Sequence, residues 1–387
     1  MKKKKDKIVY MASRSNVDND ALLPLILSFA HKGADVRILF QDAFSYEAVK
    51  ASSVWWNWIT GFTGPLLINT PLKRSASLLK FAASCGKETV IFVPRAFAAG
   101  RASMLAEKFL NIWHYRSAGL FDRREREGII NGLTPGQRLA VGKPAASIKK
   151  KGVNVRNVLF LSGQLEESED EMTWGNSVTI PYPQMQRWWE EFVRANPPRF
   201  SAREIDNAPE IITVILLRKG NYYFRKDSDV DLLLDEIIAA VRRYYPRTLL
   251  VLKPKFEKGG YWLDDENLKR RYRDENIIIS YDSLTGLALK KTLFAVSTCQ
   301  TSGNYYMLSR GIPVIEYGRY SDLWKEVFPQ VTTIEDYGGV FIEDRDALDA
   351  SVRNITSHRI DTESFKKKIG YKDMRLDIGL FTKESRI

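Results

Sequence analysis

Cysteine and histidine are scarce in this chain of 387 residues: two cysteines, Cys85 and Cys299, and three histidines, His31, His114 and His358. Two thiols exclude a disulfide scaffold and a cysteine-rich metal centre, and they fit a reducing compartment. The histidines are far apart and none falls in a HExxH-type pattern, so no metal site is expected. Also missing is an uncharged apolar run of the roughly 18–20 residues that a membrane-spanning helix needs. The basic start MKKKKDK runs into IVYMASRSNVDND. That stretch turns polar at once, so no secretory apolar region is expected. A cytoplasmic protein is the resulting expectation.

Apolar residues and charge are both plentiful. Hydrophobic residues make up 44% and charged residues 27%, a mix that supports packed cores and excludes wholesale disorder. The length points to two domains. Lys and Arg number 59 against 47 Asp and Glu, a net charge of +12. Such an excess fits nucleic acid, an anionic membrane surface or a polyanionic ligand. No RNP, zinc-finger or glycine-clamp signature accompanies it, so no nucleic-acid partner is expected. The clusters Lys2–Lys5 and Lys366–Lys368 are solvated charge, or a loose attraction to acidic headgroups on the inner face of the cytoplasmic membrane.

The apolar pattern alternates strand and helix. Ile8–Met11 reads as a strand, Ala12–Asp20 as a polar loop, Ala21–His31 as a helix and Val36–Phe40 as a second strand. This βαβ opening implies a parallel sheet with right-handed crossovers. Leu66–Asn69 and Thr89–Val93 read as strands, Ser75–Ala83 and Arg101–Trp113 as helices. Trp55, Trp56 and Trp58, with Ile59 and Phe62, read as a buried packing element; the alternative is an exposed lip for a lipid-linked acceptor. Residues 134–152 carry glycine, proline and a basic run, as an interdomain connection would. A second α/β half follows. Val155–Leu161 reads as its opening strand, Pro183–Ala195 as a helix, and Ile211–Leu217, Leu249–Leu252, Ile277–Ser280, Leu293–Ser297 and Pro313–Tyr317 as strands. Val230–Tyr244 reads as an amphipathic helix.

The most informative stretch is LFAVSTCQTSGNYYMLSRGIPVIEYG, residues 293–318. A strand delivers a small polar loop, the loop opens a helix, and a second strand follows. Ser297, Thr298, Thr301, Ser302 and Gly303 sit where a helix start presents free N–H groups, which favour phosphate. An ordinary helix cap needs the same residues.

This segment resembles the nucleotide-sugar region of GT-B glycosyltransferases, above all bacterial capsule and lipopolysaccharide enzymes that use CMP-activated Kdo or sialic-acid-like sugars. The matching pieces are STCQTSG, RGIPVI and EYG. AVGKP (140–144) resembles the family's step near the interdomain connection, and VLFLSGQ (158–164) the opening of its C-terminal half. VLKPK (251–255) resembles its Lys-Pro-His-Pro turn, with Lys255-Phe256 where the family has His-Pro. A lysine can still neutralise a phosphate as a point charge.

The resemblance implies an α/β GT-B fold of two Rossmann-like domains with a deep interdomain cleft. Residues 1–145 would bind the acceptor and 155–360 the nucleotide sugar, while 361–387 would pack back on the first domain. It implies transfer of a sugar from a CMP-sugar to a glycan or lipid-linked acceptor, without a metal or other cofactor, in surface polysaccharide synthesis. A UDP-sugar transferase, a CDP-glycerol-type phosphotransferase and a non-catalytic binding subunit are the alternatives on the same scaffold.

Chemically, the site needs cations and N–H donors for the leaving phosphate and a carboxylate as base or nucleophile. Gly163, Gln164, Arg218, Lys219, Lys253, Lys255 and the 297–303 loop are the candidates for the first, with Glu316 for ribose hydroxyls. Asp18, Asp20 and Glu166 are the candidates for the second. Each has a plain alternative: a helix cap for Asp18 and Asp20, a solvated loop for Glu166, Glu167 and Glu316, and surface cations for Arg218 and Lys219.

Overall fold

The computed structural model describes residues 6–13, 16–40, 42–64, 67–68, 89–94, 110–117, 155–161, 174–180, 182–216, 228–254, 265–327 and 331–382. These divide into two compact units. The first takes the described residues up to Ser117, from Val155 to Arg199 and from Gly370 onward; the second takes Phe200–Ile369. Among the described residues no helix is long and apolar enough to cross a membrane.

The first unit is built on seven parallel strands. They are β1 (Lys7–Ala12), β2 (Asp35–Phe40), β3 (Leu67–Ile68), β4 (Val90–Pro94), β5 (Asn111–Ser117), β6 (Val155–Leu161) and β7 (Trp174–Thr179). Their order across the sheet is β3-β2-β1-β4-β5-β6-β7. Its helices include α1 (Asn16–His31), α2 (Ala43–Lys50), α3 (Ser53–Phe62) and α4 (Arg187–Ala195).

Three readings are corrected here. Trp113, expected at the end of a helix, lies on β5. Aromatic and β-branched residues fit a pleated surface as well as a helix face, and 101–109 lie outside the described residues. Second, β6, expected to open the second half, pairs with β5 in the first sheet, His114 opposite Val158. The buried Asn157 fixes it there, its amide donating to the Ile112 carbonyl at 2.9 Å. So residues 155–199 belong to the first unit, and the boundary moves to Phe200. Third, α1 begins at Asn16 rather than after Asp20, because acidic residues are favoured in a helix's first turns. The proposed connection at 134–152 lies outside the described residues.

The tryptophan cluster is core. Trp55 and Trp58 are buried and meet Trp189 of α4 at centroid distances of 6.0 and 5.4 Å. An exposed lip formed by these two rings is therefore corrected.

The chain from Tyr371 to Phe381 is stitched to the first unit. Gln186 acts as a surrogate strand, its amide donating to the Lys372 carbonyl while its Oε1 accepts from the Met374 N–H. The Phe381 carbonyl accepts from Asn111 and Trp113, and its ring packs on Phe29, Phe92 and Trp113.

The second unit has six parallel strands, β8 (Ile211–Leu216), β9 (Leu249–Pro254), β10 (Ile277–Ile279), β11 (Thr292–Ser297), β12 (Val314–Tyr317) and β13 (Val340–Ile342). The order is β10-β9-β8-β11-β12-β13. Counted within the unit this is 3-2-1-4-5-6, the order of a Rossmann sheet. Eight helices accompany it among the described residues: α5 (Arg203–Asn207), α6 (Ser228–Tyr244), α7 (Asp265–Tyr272), α8 (Leu284–Leu289), α9 (Ser302–Ser309), α10 (Asp322–Val327), α11 (Arg345–Asn354) and, at the end of the unit, α12 (Thr362–Lys368).

Apolar residues at helical spacing make α6 a core helix, with Val230, Leu233, Leu234, Ile237, Ile238 and Val241 all buried. Asp229 and Asp231 in its first turn and Arg242 and Arg243 in its last suit the helix dipole. With α11 it covers the sheet face formed by Ile212, Val214, Leu216, Val296 and Ile315. The opposite face carries the polar residues.

Candidate functional site

Strand register assembles that polar face. Lys253 of β9 lies opposite Ile215 of β8, Ile215 opposite Ser297 of β11, and Ser297 opposite Glu316 of β12. Residues in register on parallel strands share a face, so these four form one row at the C-terminal edge of the sheet. Three strand spacings separate Lys253 from Glu316, about 14 Å, so they do not form an ion pair. The strand order reverses between β8 and β11. Open α/β sheets bind ligands at such a reversal, outside the carboxyl ends of the strands.

The loop Thr298–Thr301 leaves β11 at that point. The Thr298 N–H donates to the Ile215 carbonyl, tying the loop to β8. Thr301 caps α9, its hydroxyl accepting from the Gly303 N–H at 3.3 Å. Ser297 and Thr298 are fully buried, and the Ser297 hydroxyl has no hydrogen-bond partner among the described residues. Thr301 and Ser302 are half-buried. Lys253 is buried too, its ammonium donating to the Pro254 carbonyl at 3.2 Å.

Two expectations change. Gly303 is among the residues expected to meet phosphate at a helix start. A Cβ there would lie 2.5 Å from Leu284 Cδ1 and 3.3 Å from Ile215 Cδ1, so the absent side chain makes room for α8 and the sheet. Glu316, expected to face ribose hydroxyls or solvent, has no exposed surface. Its Oε1 accepts from the Tyr320 hydroxyl at 2.6 Å, and its Oε2 from Asn304 Nδ2 and Thr332 Oγ1, both at 3.1 Å. Burying a carboxylate is costly unless it is hydrogen-bonded, and these donors meet that need. Burial, then the Glu316 charge, pushes the Cys299 thiol well up, which leaves it an inert core residue.

In the first unit, Asp20 sits in the second turn of α1. Its carboxylate accepts from the Trp55 indole N–H. Pro24, four residues on, has no N–H to give the Asp20 carbonyl; Gln184 Nε2 supplies the missing donor at 2.9 Å. Asp18 lies on the first turn of the same helix, and its side chain is outside the described set. Gly163, Gln164 and Glu166 follow β6, Arg218 and Lys219 follow β8, and Lys255 follows β9; all six lie outside the described residues. Because β6 is in the first sheet, Gly163, Gln164 and Glu166 follow a strand of the first unit, not the second.

Among the described residues no group of three or more His, Cys, Asp or Glu side chains is placed to hold a metal ion. Sequence reasoning missed Asn304, Tyr305, Tyr320, Thr332 and Thr333, which bond to the loop, to Glu316 or to one another. One signal was available: a glutamate inside the apolar run PVIEY marks a buried charge that must have partners.

No protein-family model and no curated protein matches the sequence. Solved structures match its fold. UGT89C1 of Arabidopsis thaliana, complexed with UDP-L-rhamnose, superposes with a TM-score of 0.54 at 10% identity, covering 95% of this chain and 94% of its own. The same protein complexed with quercetin gives 0.52 at 10% identity, covering 95% and 94%. The spinosyn forosaminyltransferase SpnP gives 0.50 at 13% identity, covering 97% and 98%. At these identities the likeness is one of fold. The chain is an α/β protein with two Rossmann-like parallel sheets, the fold of GT-B glycosyltransferases.

Proposed function

We propose that this chain is a glycosyltransferase that takes its sugar from a nucleotide donor held by the second unit. The observation that carries the reading is the coincidence of two features. The second sheet reverses its strand order between β8 and β11, and the Ser/Thr loop into α9 starts there. The half-buried Thr301 and Ser302 and the α9 start would meet the donor phosphate. Ser297, Thr298 and Lys253 lie behind them, and Arg218, Lys219 and Lys255 would add charge from the ends of β8 and β9. As the glycosidic bond breaks, charge collects on the leaving phosphate, and donors already aimed there lower the barrier.

The acceptor, a glycan or a lipid-linked chain, would belong to the first unit. Asp20 would act as base toward its hydroxyl, oriented by the Trp55 indole, with Asp18 and Glu166 as the other carboxylates. The favoured donor is a CMP-linked Kdo or sialic-acid-like sugar, supported by STCQTSG, RGIPVI and EYG. A UDP-sugar is the second reading, favoured by the fold shared with a protein complexed with UDP-L-rhamnose. Work at an anionic membrane surface, in polysaccharide synthesis, would suit the basic clusters.

Thermal unfolding with CMP, UDP, GDP or CDP at millimolar concentration tests the donor. A ligand at a hundred times its Kd stabilises by about 2.7 kcal/mol. One nucleotide is expected to raise Tm, and no shift with any of them removes the donor reading. With the matching donor, Asp20→Asn is expected to lower kcat by about 10²–10⁴ while leaving nucleotide Kd unchanged. Unchanged kcat would remove Asp20 from the base role. Binding without transfer or donor hydrolysis would favour a non-catalytic subunit.

A further inference from the structure

We propose that Glu316 is a positioning residue that shapes the donor loop from inside the sheet, through Tyr320 and Asn304, without touching the donor. The inference rests on the donor site proposed above. Its warrant is a directed chain of hydrogen bonds. The Gln300 backbone N–H donates to the Tyr320 hydroxyl at 2.6 Å. That hydroxyl has one proton, which it gives to Glu316 Oε1 at 2.6 Å. An amide N–H cannot accept, so the direction of both bonds is fixed by the carboxylate at the end. On the other oxygen the same logic holds. Thr332 Oγ1 accepts from the Ile334 N–H at 3.2 Å and donates to Glu316 Oε2 at 3.1 Å. Asn304 Nδ2 is shared between Glu316 Oε2 at 3.1 Å and the Cys299 carbonyl at 3.2 Å.

Glu316 thus grips the loop at two places, the Gln300 amide through Tyr320 and the Cys299 carbonyl through Asn304. The Gln300 side chain adds a further tie, donating to Tyr305 and Thr333 at 3.1 and 3.0 Å. Tyr320 is held for this role. Its ring stacks on Trp324 at 5.8 Å, and Gly318 clears space for it, since a Cβ there would lie 2.8 Å from the ring. Burial and the Glu316 charge push the phenol well up, so it keeps its proton as the relay requires. A carboxylate that sets the direction of the loop's N–H groups fixes where a phosphate can sit.

Tyr320→Phe tests this, because it removes the relay and keeps the ring. Affinities for CMP, UDP, GDP and CDP are measured by calorimetry well below Tm, with Tyr244→Phe as the control. The control loses a bond to Asp349 that lies away from the loop. Tyr320→Phe is expected to weaken the Kd of whichever nucleotide the wild type binds by about tenfold, the value of one lost hydrogen bond. It is also expected to speed hydrogen exchange at the Gln300 amide, and the control is expected to do neither. Glu316→Gln, which keeps size but places an NH₂ against donors, is the second variant, with an equal or larger loss expected. If Tyr320→Phe folds and binds as the wild type does, the inference is overturned and the donor reading stands. If the wild type binds none of the four nucleotides, the donor reading falls and this inference with it.

Discussion

In sequence, Gly303 reads as part of a helix start that favours phosphate. In the fold its hydrogen faces Leu284 and Ile215, and its value is in packing. Overpacking a close contact typically costs about 1–3 kcal/mol. Gly303→Ala is therefore expected to lower stability by that amount in urea unfolding; a neutral result would mean that Leu284 moves aside freely. The same lesson holds for Glu316 and Asp20. Their chemistry could be read from sequence, since a carboxylate in an apolar strand or near a strand end attracts notice. Their partners could not. Tyr320, Asn304 and Thr332 reach Glu316 through strand register and loop closure, and Trp55 reaches Asp20 from a different helix. Sequence spacing carries no record of such meetings.

Long elements with a clean period were the legible ones. α6 and the strands β8, β9 and β11 have unbroken apolar faces, and these segments match the structure to within a few residues at either end. Short apolar strands such as β10 and β12 were legible too, but a polar strand was not. β7, with the sequence WGNSVT, lies at the edge of its sheet, where one side needs no partner strand. β6 was recognised as a strand but given to the wrong sheet, because an apolar run says nothing about which edge it joins.

Contacts between elements also set a pH response. Tyr317 at the end of β12 donates to Glu236 of α6, and Arg319 pairs with the same carboxylate at 2.8 Å. Burial, with the hydrogen bond and charge of Glu236, pushes the phenol up from 10.0 to about 12. The neutral phenol is the form the fold favours. Its contribution is therefore complete below the unfolded value and is lost as pH rises through about 12. A tyrosinate absorbance titration of the wild type minus Tyr317→Phe is expected to show a step near 12; a step near 10 would mean that the link between β12 and α6 is open in solution.

For the whole molecule, two α/β halves built on parallel sheets were legible from the alternation of strand and helix, but the strand order and the division of the chain between the sheets were not. The first unit is assembled from stretches far apart in sequence, and Phe381 is the clearest case. Its ring meets Phe29, Phe92 and Trp113, and its carbonyl caps the amide of Asn111. Truncating a fully buried phenylalanine typically costs about 3–5 kcal/mol. Phe381→Ala is expected to destabilise the first unit by that amount. The loss is read as earlier exposure of Trp113, whose indole N–H also donates to the Phe381 carbonyl.

That contact orders events on the ribosome. Phe200–Ile369 emerges as one stretch and can collapse around α6 as soon as it clears the exit tunnel. Phe92 and Trp113 of the first unit emerge earlier, and they lack the cover of the Phe381 ring until that residue has been synthesised. The part made first is thus the part completed last, and a chain stopped at Ile369 would carry every described element of the second unit and a first unit without Phe381.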